Sequence, residues 1–167
     1  MLVEKTYDRD KAVAYARKWA YSRNPSYYDF SSLGGDCTNF ASQCIFSGAG
    51  AMNYTETYGW YYINLSKRSP SWTGVPYLYN FLVSNRGAGP FGRESVLSEL
   101  LPGDIIQLAV YSDRFEHCPV VTATDGSGSP DSILVAAHSI DCLDRPLSSY
   151  NYKKIRCVRI EGTRRPL

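Results

Sequence analysis

Apolar positions in the first half of the chain recur with the spacing of helix faces. Asp8 is a suitable N-cap for a first helix with an apolar stripe opposite basic residues, and Asn24-Pro25 ends that helix. A second helix is predicted from Cys37 to about Ser47, and a third from Val75 to Ser84. Residues 50–74 follow neither the helix period nor the strand period. We therefore predict an irregular, aromatic-rich segment there.

The pattern changes after Leu101-Pro102-Gly103, and the rest of the chain is typical of β-strands. Four β-rich runs are predicted strands: Asp104–Val110, His117–Thr124, Ile133–His138 and Lys154–Ile160. The turn at residues 125–131 makes the second and third runs an antiparallel hairpin. Residues 85–92, with three glycines and a proline, are predicted as a loop. Helices followed by strands predict an α+β fold in which N-terminal helices pack on a C-terminal antiparallel sheet.

Length and composition narrow the function classes. A chain of 167 residues fits one domain, with a helical part at about 7–90, the aromatic-rich insertion at 50–74 and a sheet part at about 102–161. The formal charge of +2 is too small to indicate nucleic acid or an anionic membrane as a partner. No apolar run reaches the roughly 18 residues of a membrane span. We expect a monomer, although the sequence leaves the oligomeric state open.

The five cysteines do not form a recognisable framework. They are Cys37, Cys44, Cys118, Cys142 and Cys157. An odd number without a C-x-x-C pair disfavours both a disulfide framework and a zinc ribbon. His117 and Cys118 are neighbours on a predicted strand and point to opposite faces, so they do not easily share a metal. We therefore expect no bound metal.

One cysteine has the setting of a nucleophile. The stretch Gly34-Gly35-Asp36-Cys37 predicts a tight turn and an N-cap before the second helix, which Gly48 and Gly50 end. A thiol in the first turn is close to the positive end of the helix dipole, which favours its thiolate, and to N–H groups that could hold an oxyanion. The alternative is that Cys37 is a small buried apolar side chain.

Two histidines are candidates for the base that a cysteine nucleophile needs. His117 opens the second predicted strand and His138 closes the third. If these strands form the predicted hairpin, both imidazoles lie at the same end of the sheet. That placement favours catalysis over an ordinary structural role.

Four motifs carry a resemblance to a known family. They are Asp36-Cys37-Thr38-Asn39-Phe40, Leu101-Pro102-Gly103-Asp104-Ile105-Ile106-Gln107, His117-Cys118-Pro119-Val120-Val121 and Ala137-His138-Ser139-Ile140-Asp141. From about Tyr7 to Ile160, the chain resembles the bacterial putative amidase domain family. That family is similar to the papain-like NlpC-type peptidases and CHAP amidases.

The resemblance implies a papain-like core and a role for each matching residue. Cys37 would be the nucleophile, His117 the general base, and His138 the third member that holds the imidazole, with Asp141 as the alternate. Asp36 and Tyr28 would support the oxyanion site, and Tyr27 is a second choice for that position. The implied chemistry requires no cofactor.

The interval between the two main catalytic candidates is longer than in the small NlpC-type enzymes, since 117 − 37 is 80 residues. The aromatic-rich insertion accounts for the extra length. One interpretation is that Trp60, Tyr61, Tyr62 and Trp72 wall a cleft for a peptide or muropeptide. The alternative is that they fill the core and pack a loop.

The expected function is cysteine-dependent amide hydrolysis of a peptide or cell-wall muropeptide through a thioester acyl-enzyme. A non-catalytic peptide or cell-wall binding module on the same fold is one alternative. An acyltransferase or deamidase, which keeps the acyl-enzyme and changes the acceptor, is another. Residues 1–5 do not have the pattern of a signal peptide. We expect a secreted or cell-wall-associated protein if the sequence is a fragment and a cytoplasmic one otherwise.

Overall fold

A computed structural model describes residues 1–167 and has an α+β fold, as predicted. The helices are α1 (Arg9–Trp19), α2 (Cys37–Ala49), α3 (Pro70–Thr73) and α4 (Val75–Ser84). The strands are β1 (Leu2–Lys5), β2 (Tyr62–Asn64), β3 (Lys67–Arg68), β4 (Gly89–Ser95), β5 (Ile105–Ala109), β6 (Val120–Ala123), β7 (Leu134–Ala137), β8 (Cys142–Pro146) and β9 (Lys154–Pro166). Two single-turn 3-10 helices lie at Leu97–Glu99 and Leu147–Ser149. None of the helices has the length and apolar character that crossing a bilayer demands.

Seven strands form one antiparallel sheet in the order β1-β9-β5-β6-β7-β8, and β4 also pairs with β9. Side chains alternate between its two faces. On one face Ile105, Val120 and Ala136 pack with the helices in the main core. On the other, Ile106, Val121 and other residues form a smaller core. The helical layer therefore covers one face of the sheet, as the sequence predicted.

The first and second helices begin in different ways, although an aspartate precedes each. Asp8 caps α1, since its carboxylate accepts a 3.0 Å hydrogen bond from the Lys11 N–H. Asp36 occupies the corresponding position before α2, but its carboxylate accepts no hydrogen bond from a backbone N–H of the first turn. The predicted cap is therefore correct in position for α2 and wrong for the role of the side chain.

The end of α2 also differs from the prediction. Gly50 adopts a left-handed conformation and its N–H bonds to Phe46 O at 2.8 Å, so this glycine ends the helix as expected. Gly48, by contrast, lies inside the helix. A Cβ there would be 2.5 Å from a ring carbon of Tyr7, so glycine permits close packing against that ring.

The loop predicted at residues 85–92 is partly wrong, because β4 begins at Gly89. This strand pairs with β9 from Gly89 and Arg164 to Ser95 and Cys157. At the bulge after Phe91, a Cβ on Gly92 would be 2.2 Å from Arg159 O. The glycines therefore permit a close strand approach there. β1 and β8 were not predicted either. The prediction of an irregular segment at residues 50–74 is wrong for part of its length, since the β2–β3 pair and α3 lie there.

The aromatic-rich segment contributes to the core. Trp60 and Trp72 are fully buried with ring centroids 4.7 Å apart. Their indole N–H groups donate to Ser42 Oγ at 3.1 Å and to Asn39 Oδ1 at 3.0 Å, both on α2. The structure thus places these two tryptophans in the core instead of in the wall of a cleft, because their apolar rings pack on α2 with both N–H groups satisfied.

Candidate active site

A cleft of about 960 Å³ lies where the start of α2, the chain before β6 and the β7–β8 turn meet. Sixteen residues line it: Arg23, Ser31, Gly34, Gly35, Cys37, Val110, Tyr111, Glu116, His117, Ser139, Ile140, Asp141, Arg145, Ser149, Tyr150 and Asn151. Cys37 and His117, 80 positions apart in sequence, therefore face a common cavity. Apart from them, only Asp141 among the predicted site residues lines this cleft.

Cys37 is the first residue of α2 and is 7% exposed. Gly34 and Gly35, with φ of +86° and +101°, form the turn that leads to it. Its Sγ is 3.7 Å from Thr38 Oγ1 and 3.7 Å from the carbonyl oxygen of Glu116. The thiol therefore lies against the backbone that leads into His117.

The carboxylate of Asp36 does not cap the backbone of α2. It accepts hydrogen bonds from Phe30 N (2.8 Å) and Asn39 Nδ2 (2.8 Å), and its other oxygen is 2.5 Å from His138 Nδ1. The first N–H donated at the start of α2 is that of Phe40, to Asp36 O at 2.9 Å. The Cys37 N–H therefore has no backbone or capping acceptor and remains available to a ligand.

His117 is held by its backbone, which exchanges hydrogen bonds with Leu108 at 2.9 and 3.2 Å. Its ring is 5.5 Å from that of Tyr150. Neither ring nitrogen has a hydrogen-bond partner in the protein, and neither is a sealed, unsatisfied atom, so both can meet a ligand in the cleft. No hydrogen bond joins the imidazole to Cys37 Sγ.

Burial favours the uncharged form of both groups. It raises the pKa of the Cys37 thiol, although Thr38 and the Cys118 N–H oppose the change. Burial also lowers the pKa of His117 to about 4, helped by the positive charge of Arg145 and opposed by Glu116. Near neutral pH the cleft therefore presents a thiol and a neutral imidazole, not the thiolate that the helix dipole alone would favour.

His138 is buried beside the start of α2. Its Nδ1 is 2.5 Å from Asp36 Oδ2, its Nε2 is 2.8 Å from Trp19 O, and its ring stacks on Phe40 at 4.0 Å. The Trp19 carbonyl can only accept, so Nε2 carries a hydrogen. Both ring nitrogens are thereby used, and no hydrogen bond joins His138 to His117.

Asp141, the alternate third member, is paired with a different residue. Both of its oxygens accept from Arg23, at 2.9 and 3.1 Å. Neither Asp141 nor His138 therefore bonds to His117. In this structure His117 and Cys37 stand as a pair without an orienting third side chain.

The remaining predicted residues lie outside the cleft. Tyr28 accepts from Asn39 Nδ2 at 2.9 Å through its carbonyl and donates its N–H to Tyr62 Oη at 2.8 Å. Tyr27 packs on Tyr62 and Trp72 at 5.0 and 5.9 Å. Tyr61 and Tyr62 are half-buried. These tyrosines support the segment before α2 and do not line the cavity.

Several cleft residues were not predicted from the sequence, chiefly Arg145, Tyr150 and Ser139. Ser139 Oγ accepts from the Asp36 N–H at 3.2 Å, which joins the β7–β8 turn to the start of α2. Arg145 lies on β8, a strand that was not predicted. Recognition of the β7–β8 hairpin would have placed Arg145 opposite Val135 on β7, the neighbour of the strand that follows His117.

The comparisons with known proteins agree with the resemblance seen in the motifs. A family model described as "putative amidase domain" matches residues 6–160. The chain belongs to the putative amidase domain family. The chain is also similar to the uncharacterized protein YhbB of Bacillus subtilis (strain 168), with 39% identity over 139 residues, 81% of this chain and 42% of that protein. No solved structure matches the chain. Membership of the putative amidase domain family supports hydrolysis of amides.

Proposed function

We propose that the protein is a cysteine-dependent amide hydrolase in which Cys37 is the nucleophile and His117 the general base. The observation that carries this proposal is the placement of both side chains in one open cleft, with the thiol at an uncapped helix start. Membership of the putative amidase domain family supports the reaction class. The helix start supplies what an acyl-transfer site needs, namely a free N–H beside the nucleophile.

In the proposed reaction, neutral His117 removes the proton from the Cys37 thiol as the sulfur attacks the carbonyl carbon of the amide. The Cys37 N–H donates to the oxyanion of the tetrahedral intermediate. The intermediate collapses, the C–N bond breaks, and the imidazolium of His117 gives its proton to the departing amine. Water, activated by the again neutral imidazole, then hydrolyses the thioester and frees the thiol.

The starting state of this reaction is an uncharged pair. Burial opposes both thiolate and imidazolium, so the two charges form together when a substrate carbonyl is present to receive the sulfur. Substrate binding also has to bring the sulfur and the imidazole into contact, since they are not hydrogen-bonded at rest. Catalytic hydrogen bonds are often long or absent before substrate binds.

We further propose that the core is papain-like. A cysteine at the start of a helix, packed on an antiparallel sheet that carries a later histidine, supports this assignment. In this arrangement Asp36 and His138 serve as positioning residues. They tie the first turn of α2 to α1 and to the end of β7.

The proposed substrates are peptides or muropeptides, on the resemblance to cell-wall amidases. The test compares wild type with Cys37→Ala for release of amine from muropeptides, peptides and glutamine side chains. Cys157→Ala is the matched control, because Cys157 lies in the smaller core and does not line the cleft. Loss of at least about a hundredfold in rate is expected for Cys37→Ala alone.

Three outcomes would contradict all or part of the proposal. Equal rates for wild type and Cys37→Ala would exclude a cysteine nucleophile. Tight binding of a peptide without turnover would indicate a non-catalytic module. Transfer of the acyl group to an added amine in place of water would keep Cys37 and His117 and make the protein an acyltransferase.

A further inference from the structure

Not every charged side chain in the cleft has a partner of opposite charge. Besides His117, four charged side chains line it: Arg23, Glu116, Asp141 and Arg145. Arg23 and Asp141 form a two-bond ion pair, and Arg23 also bonds to Asp29. Their charges therefore largely cancel at the cleft.

The carboxylate of Glu116 accepts hydrogen bonds from residues of its own loop. It accepts hydrogen bonds from Val110 N at 2.7 Å, from Tyr111 N, and from Ser112 Oγ at 2.8 Å. These bonds hold the chain that leads into His117 and lower the pKa of Glu116. The carboxylate is not paired with any arginine or lysine.

Arg145 is the remaining cation, and it has no acidic partner within ion-pair distance. Its Nε donates to Ser149 Oγ at 2.7 Å and its Nη2 to Ser149 O at 3.3 Å. Its guanidinium carbon is 3.7 Å from the centre of the Tyr150 ring. These contacts fix the guanidinium at the cleft wall while Nη1 has no hydrogen-bond partner.

Arg145 lines the same cleft as the proposed catalytic pair, Cys37 and His117. The Tyr150 ring, against which the Arg145 guanidinium packs, is 5.5 Å from the His117 ring. An anion bound at Arg145 would therefore lie in the same cleft as the imidazole, on the side where Tyr150 packs. Arginine suits a carboxylate in particular, since its planar donors match the two oxygens.

We propose that Arg145 binds a carboxylate of the substrate and so selects amides that carry a negative charge close to the scissile bond. This inference rests on the proposed function, because it names the substrate class for the same cleft. The carboxylate has two possible sources, a chain-terminal α-carboxylate or an acidic side chain. Both present the same group to the guanidinium.

The most direct test uses iodoacetate and iodoacetamide, which differ only in a carboxylate and a carboxamide. In each reaction the Cys37 sulfur forms a bond to the CH₂ carbon, iodide leaves, and the thiol proton passes to a base. Rates at Cys37 are measured by peptide mass spectrometry at about pH 8.5 and low salt, and are divided by those for glutathione. We expect a normalised preference for iodoacetate of about tenfold, the value of one charge-assisted hydrogen bond.

Three variants show whether the preference belongs to Arg145. Arg145→Gln should abolish it and Arg145→Lys, which keeps the charge, should retain part of it. Arg86→Gln is the control, because Arg86 is exposed, has no ion pair and does not line the cleft. Arg86→Gln should keep the full preference.

The outcomes separate the two proposals. Reaction of Cys37 with both reagents but no iodoacetate preference, or a preference unchanged in Arg145→Gln, would overturn the role of Arg145 and leave the hydrolase proposal intact. No reaction of Cys37 with either reagent would remove the accessible nucleophile and overturn both.

Hydrolysis then distinguishes the sources of the carboxylate. Acetylated tetra-alanine is compared as the C-terminal acid and the C-terminal amide, and as variants with one Glu or one Gln at each position. We expect at least one acid to exceed its neutral partner in kcat/KM by about tenfold in wild type and by far less in Arg145→Gln. Equal rates within every pair would overturn the substrate assignment.

Discussion

Cys37 and His117 are each held by backbone and burial, with no charged side chain bonded to either. The thiol lies against Thr38 and the Glu116 carbonyl, and the imidazole lies beside Tyr150. The sequence predicted both residues as catalytic candidates, because a cysteine after two glycines and only two histidines left few choices. It could not predict their protonation, since that depends on how deeply the folded chain buries each group.

The low pKa of His117 predicts an unusual pH profile. His117 accepts a proton only when neutral, so kcat/KM for a neutral amide should fall on the acidic side with an apparent pKa of about 4. Activity should be retained where an ordinary histidine, near 6.5, would already be protonated. The profile is measured from about pH 3 to about pH 8, with circular dichroism at each pH to detect unfolding. An acidic limb with an apparent pKa near 6.5 would contradict the assignment of His117 as the general base.

In Arg145→Gln the apparent pKa of the acidic limb should rise, because a positive charge that lowers the pKa of His117 is removed.

The start of α2 is the element on which the cleft depends. Asp36 and His138 join it to α1 through Trp19 and to the sheet through β7, and Ser139 adds a bond from the following turn. The sequence predicted the helix and an aspartate before it. It did not reveal that the aspartate would pair with His138, because that contact crosses 102 positions.

We predict that His138→Ala costs stability more than it alters chemistry. It removes a buried pair with Asp36, a bond to Trp19 and stacking on Phe40, so the free energy of unfolding should fall by about 3 kcal/mol. Urea unfolding measures this loss. His117→Ala is the matched control and should cost about 1 kcal/mol or less, since its ring makes no hydrogen bond.

The activity of a second variant, His138→Gln, separates a structural role of His138 from an orienting one. In His138→Gln, the acid limb of kcat/KM should stay near its wild-type position. A variant that keeps full stability but moves that limb would make His138 the orienting member that the family resemblance implies.

The β7–β8 hairpin shows why part of the site was missed. Ser139 and Ile140 both have φ of +64°, a conformation that hairpin turns usually fill with Asn and Gly. Ile140 is 75% exposed at the cleft rim, and a β-branched residue is rare in this region. The sequence therefore carried no turn signal, so β8 and Arg145 went unpredicted. Strain of this kind is concentrated at functional sites.

At the scale of the whole molecule, an antiparallel sheet brings residues from distant parts of the chain to one cleft. The prediction that the main helices precede the central strands was correct, as was the antiparallel pairing of those strands. The edge strands β1 and β8 and the strand β4 were missed. Their short or glycine-containing sequences acquire strand structure only by pairing with β9 or β7.

The positions of the tryptophans in the aromatic-rich segment also depend on tertiary contacts. Composition alone allowed either a cleft wall or a core, and the difference lies in the packing partners. Trp60 and Trp72 pack on α2, where Ser42 and Asn39 accept hydrogen bonds from their indole N–H groups. Such contacts are fixed by the tertiary fold and leave no local pattern in the sequence.

Formation of a thioester at Cys37 with the help of His117 is the step on which the proposed function depends. Its most direct measurement is the mass of the protein during reaction with p-nitrophenyl acetate, followed by peptide mapping of the acetylated cysteine. We expect acetylation at Cys37, about a hundredfold slower in His117→Gln. Acetylation at another cysteine, or an equal rate in His117→Gln, would contradict it.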